Sequence, residues 1–141
     1  MNNYRPISVL PVFSKIIEKI VSDQLLIHLD TNNILTSSQY GFRNGRSTEM
    51  ALVNFTNDIA ESFDKGKYVL AAFLDLSKAF DTVSHDILLA KLYYYGIRGS
   101  AWSWFADYLK NRKQCVRYNN SISTLKDIRC SVPQGSILGP I

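Results

Sequence analysis

The sequence predicts a mixed α+β fold, and three observations carry that reading. Apolar positions recur at three- and four-residue steps in several stretches, while others are short apolar or alternating runs. The resulting order is helix, loop, helix, strand, two helices, hairpin, turn, without the regular strand–helix alternation of a parallel α/β sheet. The composition, 46% hydrophobic and 20% charged over 141 residues, suits one globular domain with a real core. It argues against a mainly disordered chain.

Residues 4–11 (YRPISVLP) carry two prolines and read as an extended lead-in. From Val12 the period becomes helical, with Phe13, Ile16, Ile17, Ile20, Val21 and Leu25 on one face. That helix is expected to run to about Leu29 and to stop in the polar cluster Asp30-Thr31-Asn32-Asn33. Residues 39–49 (QYGFRNGRSTE) read as a loop or bent hairpin. Ser47 or Thr48 can cap the next helix, with Glu49 favourable in its first turn. That helix carries Leu52, Phe55, Ile59 and Phe63 and ends at Gly66.

Residues 68–74 (YVLAAFL) form a short, almost wholly apolar run, expected to be a buried strand with Asp75 at its end. A helix capped by Ser84 should follow and stop at Gly96, with Asp86 near its positive end. A second, aromatic-rich helix spans roughly Ser100 to Leu109. Residues 114–118 and 121–125 read as a β-hairpin turning at Asn119-Asn120. In the closing SVPQGSILGPI, Pro133 and Gly135 mark a turn, and Ser136-Ile137-Leu138 looks like the start of a helix.

The net charge of +4 suits a polyanionic partner and equally a solvated basic surface. Cys115 and Cys130 form neither a metal-ligand cluster nor a disulfide framework, which makes a reducing, intracellular setting the expectation, nuclear or cytoplasmic. No apolar run has the length of a membrane span, and no signal peptide opens the chain.

Several residues could carry chemistry, each with a plainer reading beside it. Asp75, a carboxylate at a buried strand end, is costly to desolvate unless a cation or donors meet it. A hard ion such as Mg²⁺ would do so; a turn aspartate is the alternative. Phe80 could bar a 2′-hydroxyl from a closed nucleotide site, or could simply be core. Asp81 and Asp86 read as turn and helix-dipole residues. Arg43 and Arg46 lie in a glycine-bearing loop and have the fork geometry for phosphate, or belong to a solvated surface loop. The Pro133-Gln134-Gly135 turn offers a polar side chain beside a bare backbone, which suits a flat ligand or an ordinary turn. His28 and His85 lack ligand partners and read as surface or helix-end residues. Trp102, Trp104 and Tyr108 read as core before base-stacking platform.

Taken in order, the segments YRPISVLPVFSKIIEK, QYGFRNGRSTEMAL, FLDLSKAFDTVSHDILLAKLYYYGIRG, WFADYLKNRKQCV and SVPQGSILGPI resemble successive blocks of reverse transcriptases of non-LTR (LINE-type) retrotransposons. The resemblance covers essentially the whole chain. It implies a right-hand polymerase, with fingers mainly in residues 1–66 and part of the palm in 67–141, incomplete at both ends. It implies that Asp75 binds catalytic metal with help from the Leu76 carbonyl, and that Phe80 is the steric gate against ribonucleotides. Gln134 and Gly135 would line the nucleotide pocket. Arg43 and Arg46 would contact the incoming triphosphate or the template. Partners would be an RNA template, a DNA primer and a dNTP, with two Mg²⁺ ions in the site.

Such a site uses carboxylates from two places in the fold. The family's second source, an aromatic-x-Asp-Asp hairpin, does not occur in these 141 residues. The expectation is therefore a fragment of an RNA-directed DNA polymerase that is inactive alone. The competing functions are a non-catalytic nucleic-acid-binding remnant, using Arg43, Arg46, Arg112 and Lys113 on phosphates, or an unexpressed retrotransposon relic.

Overall fold

The computed structural model describes residues 7–141. Residues 4–6 of the expected lead-in lie outside the described residues; Ile7–Pro11 is neither helix nor strand. Four helices follow: α1 (Val12–Thr31), α2 (Thr48–Asp64), α3 (His85–Tyr94) and α4 (Gly99–Leu109). Four two-residue strands then form two separate antiparallel pairs along one hairpin ribbon. In it β1 (Lys113–Gln114) pairs with β4 (Lys126–Asp127), and β2 (Arg117–Tyr118) pairs with β3 (Ser121–Ile122). The fold is mixed helices and small strands, in line with the α+β expectation.

The helix ends are where the local chemistry put them. The Ser47 hydroxyl accepts the Met50 amide and the Ser84 hydroxyl accepts the Ile87 amide, so both serines satisfy donors that the first turn leaves free. Ser47 also draws the Glu49 carboxyl below its ordinary pKa. At the other ends, α2 stops at Gly66 and α3 at Gly96, both with positive φ. In each case the next residue's amide reaches back to the last turn: Lys67 to the Ser62 carbonyl, Ile97 to the Leu92 carbonyl. Asn33 (φ 52°) does the same for α1, with the Ile34 amide on the Leu29 carbonyl. The hairpin turns at Asn119, also in the left-handed region (φ 51°), as its Asn-Asn pair required.

The core is built by α1, α3, α4 and the C-terminal segment. Its buried members are Leu25 and Leu29 from α1, Leu89 and Leu92 from α3, Ile97, Phe105 and Leu109 at and on α4, and Val132 and Leu138. Trp102, Trp104 and Tyr108 pack against it as expected. The core-facing stripe of α1, however, is Glu18, Ser22, Leu25 and Leu29. Phe13, Ile16, Ile17 and Ile20 from the predicted face are each at least half exposed. Helix α2 buries no residue, although Phe55 meets Phe73 edge to face.

Two expected elements do not form. The run 68–74 is not a strand, and Tyr68, Leu70, Phe73 and Leu74 are almost wholly exposed. An apolar run becomes a strand only when a neighbour takes up its amides and carbonyls, and none does so among the described residues. Residues 136–138 form no helix: Ile137 and Leu138 are bends, and the Ser136 amide donates to the Pro133 carbonyl. The amides that follow turn to side chains: those of Ile137 and Leu138 donate to the Glu18 carboxylate, at 2.8 and 3.5 Å. Gly139 donates to the Ser136 hydroxyl at 2.9 Å.

Candidate functional site

The loop between residue 76 and α3 and the segment before the Gln134 turn are stitched together by main chain. The Val132 amide donates to the Phe80 carbonyl (3.0 Å) and the Ser131 amide to the Val83 carbonyl (2.8 Å). Ser84 and Cys130 form an isolated antiparallel bridge. His85, read as a surface or helix-end residue, is the first residue of α3 and is buried there, with Nε2 2.7 Å from the Ser131 carbonyl, which closes the same joint from the helix side. No partner for His85 was legible beforehand, because a backbone carbonyl leaves no mark in residue identity.

That joint places Phe80 and the Gln134 turn side by side. Phe80 is half-buried against the core and meets Phe42 of the glycine-bearing loop edge to face, with ring centroids 6.1 Å apart. Gln134 Nε2 donates to Asp81 Oδ1 at 2.6 Å. Asp81, read from sequence as a turn residue, thus also holds the glutamine's side chain. Gly135 has φ 93°, and a Cβ there would lie 3.5 Å from Ile7 Cγ2 and from the Ser8 carbonyl oxygen. The contact is an ordinary one, so it is the left-handed φ that favours glycine there. The Ser8 amide completes the contact by donating to the Gln134 carbonyl at 2.8 Å.

Below the turn lies a buried carboxylate. Glu18 is 2% exposed and sits between α1, α4 and the C-terminal segment. The Tyr108 hydroxyl donates to its Oε1 at 3.1 Å while Oε2 receives the Ile137 amide. Burial first, and then the Glu18 charge, push the Tyr108 phenol above its ordinary pKa. Glu18 is the one residue of this clasp that sequence could have flagged, as a carboxylate inside the apolar run Ile16-Ile17-Glu18-Lys19-Ile20-Val21.

None of the other predicted site residues hydrogen-bonds to that joint among the described residues. Asp75 is exposed and Leu76 is 77% exposed. Asp75 makes no hydrogen bond or ion pair among the described residues, and no group of three or more His, Cys, Asp or Glu side chains forms a metal-binding set among them. The guanidinium of Arg43 ties its loop to the end of α1, pairing with Asp30 Oδ1 at 2.6 Å and reaching the Thr36 carbonyl at 3.4 Å. Arg46 donates to the Ser37 carbonyl at 3.0 Å and lies over the Tyr40 ring. Arg112 lies 4.9 Å from the centroid of the Tyr108 ring, and Lys113 makes an exposed pair with Asp127 at 3.8 Å.

The family described as reverse transcriptase (RNA-dependent DNA polymerase) matches residues 1–141, the full sequence. The chain belongs to the reverse transcriptase family. It is 39% identical over 145 residues to the probable RNA-directed DNA polymerase from transposon BS of Drosophila melanogaster. It is 34% identical to that from transposon X-element and 34% identical to the RNA-directed DNA polymerase from mobile element jockey, both from the same fly. Each alignment covers 99% of this chain and 15% of the relative, so the chain spans about 15% of the length of these proteins. No solved structure matches it at a significant level. The resemblance to non-LTR retrotransposon reverse transcriptases is thereby borne out. No helix among the described residues is long and apolar enough to cross a membrane.

Proposed function

We propose that this reverse transcriptase segment contributes the fingers (residues 1–66) and part of the palm (67–141) of an RNA-directed DNA polymerase. In that reading Phe80, Gln134 and Gly135 border the dNTP, and the Phe80 ring excludes a 2′-hydroxyl by bulk. The observation that carries it is the joint of Phe80, Asp81 and Gln134, which brings the aromatic ring and the turn together from positions 53 residues apart in sequence. Arg43 and Arg46 brace the loop that meets Phe80 through Phe42, and are the candidates for contact with the triphosphate or the template. RNA template and DNA primer are the proposed partners, with Arg112 and Lys113 on their phosphates.

The implied metal is Mg²⁺. Asp75 and the Leu76 carbonyl have the right donor atoms for a hard cation. A single exposed carboxylate nevertheless leaves such an ion mostly to water. The described residues do not fit two metals by themselves, because the chemistry draws on carboxylates from a second place in the fold.

The test is a chimera in which residues 1–141 replace the matching segment of the transposon BS polymerase. RNA-templated dNTP incorporation should persist, Asp75→Asn should abolish it, and Phe80→Ala should admit ribonucleotides. Unchanged discrimination in the Phe80→Ala chimera sinks the assignment of the ring. The 141 residues as an isolated polypeptide should incorporate no nucleotide, since they hold one carboxylate source of the two required.

A further inference from the structure

The net positive charge of this chain is concentrated in one stretch. Residues 110–130 contain Lys110, Arg112, Lys113, Arg117, Lys126 and Arg129 against the single carboxylate Asp127, a net of +5. The whole chain carries +4, so everything outside that stretch totals −1. Within the stretch lies the β1–β4 ribbon, whose strand residues are all exposed. The side chains of Arg117, Lys126 and Arg129 make no hydrogen bond or ion pair among the described residues. The two pairs that other cations of the stretch do make, Lys110–Asp86 at 3.6 Å and Lys113–Asp127 at 3.8 Å, are solvent-exposed. Exposed pairs of this kind are worth about 0–1 kcal/mol and give way readily to a denser anion. The arginines of the glycine-bearing loop, by contrast, are engaged inside the protein.

We infer that this ribbon is the surface that takes the phosphate backbone of single-stranded nucleic acid. Its tip carries Tyr118, 76% exposed, beside Arg117. Cations that follow a backbone, together with an open aromatic face on which an unpaired base can stack, are the working parts of a single-strand binder. A duplex keeps its bases stacked on one another and has no use for that ring. For the class of partner the inference rests on the polymerase reading; for its location it rests on charge and exposure alone. It moves the main phosphate contacts from Arg43 and Arg46 to Arg117, Lys126 and Arg129.

The test uses the 141-residue chain and a short, unstructured, fluorescein-labelled RNA, with anisotropy read across a salt series. Each phosphate contact contributes about 0.7 to the slope of log K against log salt on a single strand. R117Q/K126Q/R129Q should therefore lower the slope by about 2 and weaken binding about tenfold or more at moderate salt. R117Q and R129Q singly should each take about 0.7 from it. Y118A should weaken binding while leaving the slope in place. K65Q/K67Q/K91Q, which removes the same charge elsewhere, should bind as the parent does. Equal losses in both triple variants, no salt-dependent binding by the parent, or tighter binding of a matched RNA duplex would each overturn the proposal. Binding is read without catalysis, so a chimera that fails to polymerise leaves this result standing, and the reverse holds.

Discussion

At the scale of single residues, the most consequential group is a carboxylate that no pattern assigned. Glu18 accepts from the Tyr108 hydroxyl and from the Ile137 and Leu138 amides with almost no solvent contact. Truncating it strands these donors, and a buried unsatisfied donor costs about 1–3 kcal/mol. Glu18→Ala should accordingly lower the thermal midpoint clearly, with hydrogen exchange rising at Ile137 and Leu138 before the rest of the core. Tyr108 supplies a pH signature for the same clasp. Its phenol ionises at higher pH in the folded chain than in the unfolded one, because burial and the Glu18 charge oppose the phenolate. The folded state thus holds its proton more tightly, and the associated stability is complete below the unfolded value of about 10. It is lost as the pH rises from there through the folded value. Chemical denaturation of Tyr108→Phe should show a shallower alkaline decline than the parent. Parallel declines in the two proteins refute a perturbed Tyr108.

At the scale of elements, what was legible was what depends on near neighbours in sequence. The ends of α2 and α3 were written in Ser47, Ser84, Gly66 and Gly96, and the hairpin in its Asn-Asn turn, since caps and tight turns are satisfied within a few residues. The elements that went astray depend on distant partners. Residues 68–74 have the composition of a strand, but pairing needs a neighbouring backbone that composition does not reveal. Helix α1 is apolar on more than one side, so its period marked a helix without marking which side meets α4. Glu18 decides that, by finding Tyr108 90 residues away. The candidate site was legible in the same measure. Phe80, Gln134 and Gly135 were read as members of one nucleotide pocket, and hydrogen bonds join the segments that carry them, whereas the role of Asp81 in holding Gln134 arises only when the two segments meet. Asp81→Ala should release the Gln134 side chain. The expected reading is a loss of about 1 kcal/mol in stability, from one charged hydrogen bond at a half-buried site, with faster exchange confined to the joint around residues 131–135. An exchange pattern unchanged across that joint argues that the bond does not hold the turn.

At the scale of the whole molecule, a modest core supports a large apolar exterior. Among the described residues nine hydrophobic side chains are buried, while Phe13, Tyr68, Leu70, Phe73, Leu74 and Leu76 are each at least three-quarters exposed. Five of those six lie between residues 68 and 76, in a stretch that is neither helix nor strand and whose backbone groups no strand takes up among the described residues. Apolar surface and unpaired backbone in the same stretch make a template for intermolecular pairing. The 141-residue chain should therefore associate with itself as its concentration rises, seen as a growing sedimentation coefficient. Opposite charge elsewhere in the molecule is not the cause expected, because the basic ribbon repels its own copies. The two sources separate under salt: association through the apolar stretch should persist or strengthen as salt is raised, whereas association through charge should weaken. Leu70→Lys with Leu74→Lys places like charges along the stretch and should shift the distribution to monomer without lowering the thermal midpoint, since neither side chain touches the core. A monodisperse parent at high concentration, or a double variant that associates as before, means that the apolar stretch is covered in solution by some arrangement other than pairing between copies.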